Sequence, residues 1–108
     1  MLTVASFAEM ALSFPGTEQT AHFGRIGFRV VGRRMFATYL PKDNTANVFL
    51  TPAEQAHFRQ LDEANIYPVP NKWGQKGATT LVLSRITKEV VMEALLSAYN
   101  LVAKAGKA

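Results

Sequence analysis

The stretch from His22 to Leu40, HFGRIGFRVVGRRMFATYL, constrains the fold more than any other part of the chain. Ile26, Phe28 and Val30 recur at every second position, with Arg25, Gly27 and Arg29 between them. That is the period of a β-strand with one apolar face. Gly32 permits a turn, and Met35 to Leu40 returns as a second strand, so the stretch reads as a β-hairpin. The return strand alternates poorly, which leaves its faces open. Arg25, Arg29, Arg33 and Arg34 lie in the hairpin without one Asp or Glu. Its apolar side needs helices to cover it. Its basic side wants either water or an anion.

The flanking segments supply those helices. Thr3 is positioned as a helix cap, and Val4, Phe7, Ala8, Ala11 and Phe14 follow at helical spacing until Pro15-Gly16 turns the chain. After Glu18 to Ala21 comes the hairpin. Pro41 to Asn44 is a turn, and Asn47 to Thr51 is a third short strand, with Val48 and Leu50 on one side and Phe49 on the other. Thr51-Pro52-Ala53-Glu54 combines a cap, a proline at the first helical position and a capping-box glutamate. Ala56, Phe58, Leu61 and Ala64 are the expected apolar contacts of this second helix. Ile66 to Pro70 is extended, and its prolines at 68 and 70 argue for a sheet edge or a rigid approach strand. Asn71 to Gly77, NKWGQKG, reads as a loop. Thr79 to Ser84 alternates cleanly as a last strand, Leu81 and Leu83 against Thr80 and Val82. Thr87 caps a final helix to about Lys104, with Val90, Val91, Ala94, Leu95, Ala98, Leu101 and Val102 as its stripe.

These elements make an α+β domain over residues 1–108, with a core from about 4 to 104. The sheet is expected to be mostly antiparallel, with helices packed on one face and the other face solvated. Phe7, Phe28, Phe36 and Leu95 are the expected core. An apolar share of 48% excludes a disordered chain. No apolar run reaches membrane-spanning length, and the opening MLTVASFAEM lacks a secretory pattern, so a cytoplasmic protein without membrane contact is expected.

Chemistry narrows the function classes. With no cysteine there is no disulfide, thiol nucleophile or thiolate metal site. The two histidines, His22 and His57, are far apart in sequence and show no ligand spacing. Glu54 is accounted for by capping, and Asp62-Glu63 by solvation. No serine lies in a nucleophile-elbow pattern, and Gly24, Gly27 and Gly32 fit strand and turn geometry, not a dinucleotide fingerprint. No catalytic residue, cofactor or metal is assigned, and a non-enzyme is expected.

The positive signal is how charge is distributed. The net charge is only +4. From Gln19 to Lys42 the ionised residues are Arg25, Arg29, Arg33, Arg34 and Lys42; from Ala64 to Lys88 they are Lys72, Lys76, Arg85 and Lys88. The carboxylates lie elsewhere, mostly on or beside the helices. Such segregation makes the strand and loop side basic and suits phosphate contact. Candidate nucleic-acid-binding residues are therefore Arg25, Arg29, Arg33, Arg34, Lys72, Trp73, Lys76 and Arg85. The plainer account is that exposed strands carry Arg and Lys to discourage edge pairing. Trp73 either stacks on a base or packs against the edge of the core, and packing weighs more.

HFGR followed by FRV, the Gly-basic turn, MFATYL, NVFLTP, YPVPNKWG, TTLVL and SAYNLV together resemble the MmcQ/YjbR-like family over about Phe7 to Lys104. His22, Phe23, Gly24 and Arg25 match its opening strand motif, Phe28, Arg29, Phe36 and Ala37 its next strands, Pro68, Trp73 and Gly77 its loop, and Ser97 and Tyr99 its final helix. Ala78 stands where many relatives have tryptophan. The resemblance implies a small bacterial cytoplasmic protein with a frataxin-like (CyaY-like) fold and a DNA-binding double wing. One wing would lie around Arg29 to Arg34 and the other near Lys72 to Arg85. Together with the acid-free basic segments, it points to weak, non-specific contact with double-stranded DNA. Frataxin-type iron binding is disfavoured, because the first helix offers only Glu9 and the strands beside it are basic. The alternative is a small protein-interaction or regulatory domain with a protein partner. Monomer and homodimer are both open.

Overall fold

The computed structural model describes residues 3–105. In chain order the elements are α1 (Val4–Leu12), β1 (Thr17–His22), β2 (Arg25–Val30), β3 (Met35–Leu40), β4 (Thr45–Phe49), α2 (Pro52–Leu61), β5 (Ile66–Pro68), α3 (Lys72–Gln75), β6 (Ala78–Val82) and α4 (Lys88–Ala105). The strands form one six-stranded sheet in the order β1-β2-β3-β4-β6-β5. Every pairing in it is antiparallel. The first four strands are sequential neighbours. Helix α2 then carries the chain past the β6 position, so β5 takes the edge and β6 returns between β5 and β4. Pro68 sits on that edge strand, as its missing N–H requires.

The predicted hairpin is β2 and β3, but it has a further partner that the sequence reading did not assign. Strand β1, TEQTAH, pairs with β2 from Thr17 opposite Val30 to His22 opposite Arg25. It shows no apolar alternation, so period-two reasoning has nothing to find there; backbone pairing alone makes it a strand.

Register divides the sheet into two faces. Ile26 lies opposite Tyr39, Phe28 opposite Ala37, Ala37 opposite Val48, Tyr39 opposite Ala46 and Ala46 opposite Leu81. These residues form one core with Phe7, Met10 and Ala11 of α1, Phe58 of α2 and Val91, Leu95 and Val102 of α4. The helices thus cover a single face. Phe7, Phe28, Phe36 and Leu95 are all fully buried, as expected. The opposite face carries Gly27, Thr38, Asn47 and Thr80 in one cross-strand row. Thr80 Oγ1 donates to Asn47 Oδ1 at 2.8 Å along that row.

The poor alternation of β3 has a physical cause. Phe28 faces Ala37 while Arg29 faces Met35, so Phe36 is the extra residue of a bulge. The bulge lets Phe36 and Ala37 both be buried, while Met35 stays on the other face.

The helix ends follow their caps. Thr3 and Ser6 form a reciprocal capping box at α1, and Thr51 and Glu54 another at α2, with Pro52 at the first position. Thr87 Oγ1 accepts from Val90 N at the start of α4. Helix α2 departs from expectation in its contacts: Ala56, Leu61 and Ala64 are exposed, and Gln55 and Phe58 are the residues it buries. Those two residues lie three apart, so the helix turns only a narrow face inward. NKWGQKG, read as a loop, contains the four-residue helix α3.

Tyr39, 4% exposed, donates from its hydroxyl to Asn44 Oδ1 at 2.6 Å in the β3–β4 turn. Burial pushes that hydroxyl above its ordinary value of 10.0. The folded state therefore holds a proton that the unfolded chain gives up near pH ~10. The stabilisation is complete below that pH and disappears as pH rises through the folded value. The expected result is a denaturation midpoint that falls above pH ~10 less steeply in Tyr39→Phe than in the parent. At neutral pH the variant loses about 1 kcal/mol with the hydrogen bond. Urea unfolding at pH ~8 and ~10.5 measures both.

Candidate nucleic-acid interface

Helix α3 is held against the sheet by close backbone approach. A Cβ on Gly77, whose φ is +116°, would collide with the Leu50 carbonyl, whose carbon is 2.7 Å from that position. A Cβ on Gly74 would collide with Val69 in the same way, the Val69 carbonyl carbon lying 2.9 Å off. The two glycines therefore admit contacts that a side chain would prevent. Gln55 adds a lock from α2: its Nε2 donates to Gly74 O at 2.9 Å, Ala78 O at 3.0 Å and Thr79 Oγ1 at 3.2 Å. Asn71 caps α3 by accepting from Trp73 N.

This anchoring sets α3 beside a cavity of about 760 Å³ that the Thr38 and Asn47 face of the sheet lines together with Trp73 of α3 and Leu101 of α4. Arg25, Arg34 and Lys76 supply its charge, and no Asp or Glu is among the described residues that line it. Trp73, Phe49, Met35 and Val69 supply apolar wall. Thr38, Asn47 and Asn71 supply polar groups. Lys76 Nζ lies 5.2 Å from the centroid of the Trp73 ring, a cation–π contact. Trp73 is 57% exposed, which corrects the expectation that it packs into the core edge. Its short helix begins beyond the sheet, and the core there is already closed by Gln55, Thr79 and the glycine contacts.

The structure brings four of the eight predicted residues together: Arg25, Arg34, Trp73 and Lys76. Arg25 is half-buried, and its Nη1 is buried without a hydrogen-bond partner among the described residues. The other four do not line the cavity. Arg29 is ion-paired with Glu18, which the β1–β2 register sets directly opposite. Arg33 is half-buried in the β2–β3 turn, where its N–H donates to Val30 O. Lys72 is exposed on α3. Arg85 is exposed in the turn after β6, beyond the strand end remote from α3. The segment from Lys72 to Arg85, where the resemblance puts the second wing, holds a single strand. It comprises α3, an interior strand and a turn.

Met35, Thr38, Asn47, Phe49 and Asn71 were not among the sequence candidates. Alternation already put Phe49 opposite Val48 and Leu50, and the same step applied to Asn47 would have placed it on that face. Thr38 and Met35 were hidden by the bulge.

A family model described as YjbR matches residues 12–101. The chain belongs to the YjbR family. Among solved structures it is similar to the crystal structure of Deinococcus radiodurans protein DR2400, described as a DUF419 family-model domain. The TM-score is 0.83 at 24% identity, over 100% of this chain and 83% of that one. That likeness establishes a shared fold. No curated protein matches the chain. The YjbR match spans all six strands and every residue that lines the cavity, including Pro52 of α2, Trp73 of α3 and Leu101 of α4. No described helix is long and apolar enough to cross a membrane.

Proposed function

We propose that the chain is a nucleic-acid-contacting domain that binds DNA weakly and without sequence preference. The observation that carries this reading is the convergence of Arg25, Arg34 and Lys76 with Trp73 on one concave surface whose described lining has no carboxylate. These residues come from two acid-free stretches far apart in sequence. Phosphate contact needs cationic donors that no neighbouring carboxylate neutralises, and that surface offers them. Arg29 is a weaker contributor because Glu18 already holds it. On this reading the sheet with its helices on one face is a frataxin-like arrangement. The β2–β3 turn and the α3 arm, which border the cavity, act as its two wings. The domain works by binding, not by catalysis.

A salt titration of affinity for a DNA duplex tests the reading. Binding is expected to weaken steeply between about 50 and 200 mM salt. The Arg25→Gln, Arg34→Gln, Lys76→Gln triple variant should reduce the slope of log affinity against log salt by up to about 3. An affinity indifferent to salt, or unchanged in the triple variant, would sink the electrostatic account.

Protein contact is the second reading, and one observation favours it. Phe23 is 96% exposed in the β1–β2 turn and Val31 58% exposed in the next. Recovery of a stoichiometric protein partner with no retained nucleic acid would support it over DNA contact.

A further inference from the structure

The cavity is more specific than a basic surface needs to be. Contact with duplex phosphates calls for exposed cations and nothing else. Here the cations border a cavity of about 760 Å³, within the range of small-ligand pockets. Aromatic side chains from two separate elements, Trp73 on α3 and Phe49 on β4, line it together. The floor is rich in donors. Asn47 accepts through Oδ1 from Thr80, so Nδ2 is the group through which its side chain can donate. Arg25 Nη1 is buried and lacks a partner among the described residues. A dry, unpaired guanidinium donor is unfavourable, and a rotation that presents it to an acceptor in the cavity relieves that state.

We infer that this cavity seats one unpaired nucleotide, its base against the Trp73 and Phe49 wall and its phosphate on Arg34 and Lys76. The inference rests on the nucleic-acid reading and sharpens it. A paired base hides its faces in the stack and cannot enter a pocket, whereas an unstacked base offers a flat surface to an aromatic side chain. Asn47 and Arg25 then meet acceptors on the base edge. The nucleotide is supplied either by a single strand or as a free monophosphate.

Trp73 is the only tryptophan, so its fluorescence reports the site directly. The experiment titrates the protein with deoxyadenosine monophosphate, a 12-nucleotide single strand and the matched blunt duplex. The monophosphate and the single strand are expected to quench Trp73, with the single strand bound about tenfold more tightly than the duplex. Lys76→Gln and Arg25→Gln should each weaken single-strand binding several-fold. Lys76 is exposed, so that variant keeps the fold, and a thermal melt verifies Arg25→Gln. Equal binding of single strand and duplex, with no quench by the monophosphate, overturns the pocket and leaves the electrostatic DNA reading standing. Quench by the monophosphate with no strand bound supports the pocket as a free-nucleotide site and overturns the DNA reading. No binding of any of the three overturns both.

Discussion

Gly77→Ala is expected to destabilise the protein by about 3–5 kcal/mol, a large part of the ~5–15 kcal/mol that holds a domain of this size together. Two costs combine. At φ +116° an alanine is strained, at about 1–3 kcal/mol. Its methyl group would also be driven into the Leu50 carbonyl, and Leu50 and Thr51 form the junction between β4 and the cap of α2. Relieving that overlap means moving backbone, at a further ~1–3 kcal/mol. The same movement disturbs the Leu50 N–H, which donates to Gly77 O at 3.2 Å. A fall in melting temperature of about 15–25 °C is the observable. Gly32→Ala is the control, because its positive φ is comparable in kind but nothing lies within 4 Å of the new methyl. It should cost only about 1 kcal/mol. If the two variants melt together, close packing at Gly77 is not what fixes α3.

The comparison also shows where sequence reasoning reaches its limit. Elements with a clean period were legible: β2 from Ile26, Phe28 and Val30, β6 from Leu81 against Thr80 and Val82, and α4 from its broad stripe. The caps at Thr3, Thr51 and Thr87 were legible because each is a local chemical pattern. What was illegible depends on contacts distant in the chain. Strand β1 exists because β2 offers it an edge. Helix α3 exists because Gly74 and Gly77 let the backbone approach Val69 and Leu50, and glycine spacing alone does not distinguish such a contact from a flexible loop.

The same limit divides the candidate arginines. Arg25 and Arg29 occupy equivalent alternate positions on β2, and their local sequence gives no reason to treat them differently. Register does. Arg29 falls opposite Glu18 and is engaged, a surface pair worth little to stability but enough to occupy its guanidinium. Arg25 falls opposite His22 and lines the cavity, its Nη1 without a partner among the described residues. Charge counting singles out the hairpin, but only pairing separates its ion-paired arginine from the one that lines the cavity.

Phe36→Ala tests the bulge, where alternation alone leaves the faces of the return strand open. Phe36 is fully buried at the bulge, its ring 5.7 Å from Tyr99 and 6.2 Å from Phe14, both edge to face. Tyr99 stacks on Phe14 at 4.8 Å and donates to Pro15 O at 2.8 Å. The ring thus joins β3 to α4 and to the segment after α1. Truncation leaves a cavity among groups tethered by aromatic contacts and a hydrogen bond, so the site has little freedom to collapse. The expected loss is about 3–5 kcal/mol, read as a lower urea midpoint with an unchanged slope. Phe36→Leu, which refills most of the volume, should lose well under half of that, at ~1.5 kcal/mol or less. Since Phe36 belongs to the helix-covered core and Arg25, Arg34 and Lys76 line the opposite side, the two properties should separate. At a temperature where Phe36→Ala remains folded, its DNA affinity is expected to equal that of the parent. A matching loss of affinity would mean that the bulge shapes the cavity through Met35, its neighbour on that side.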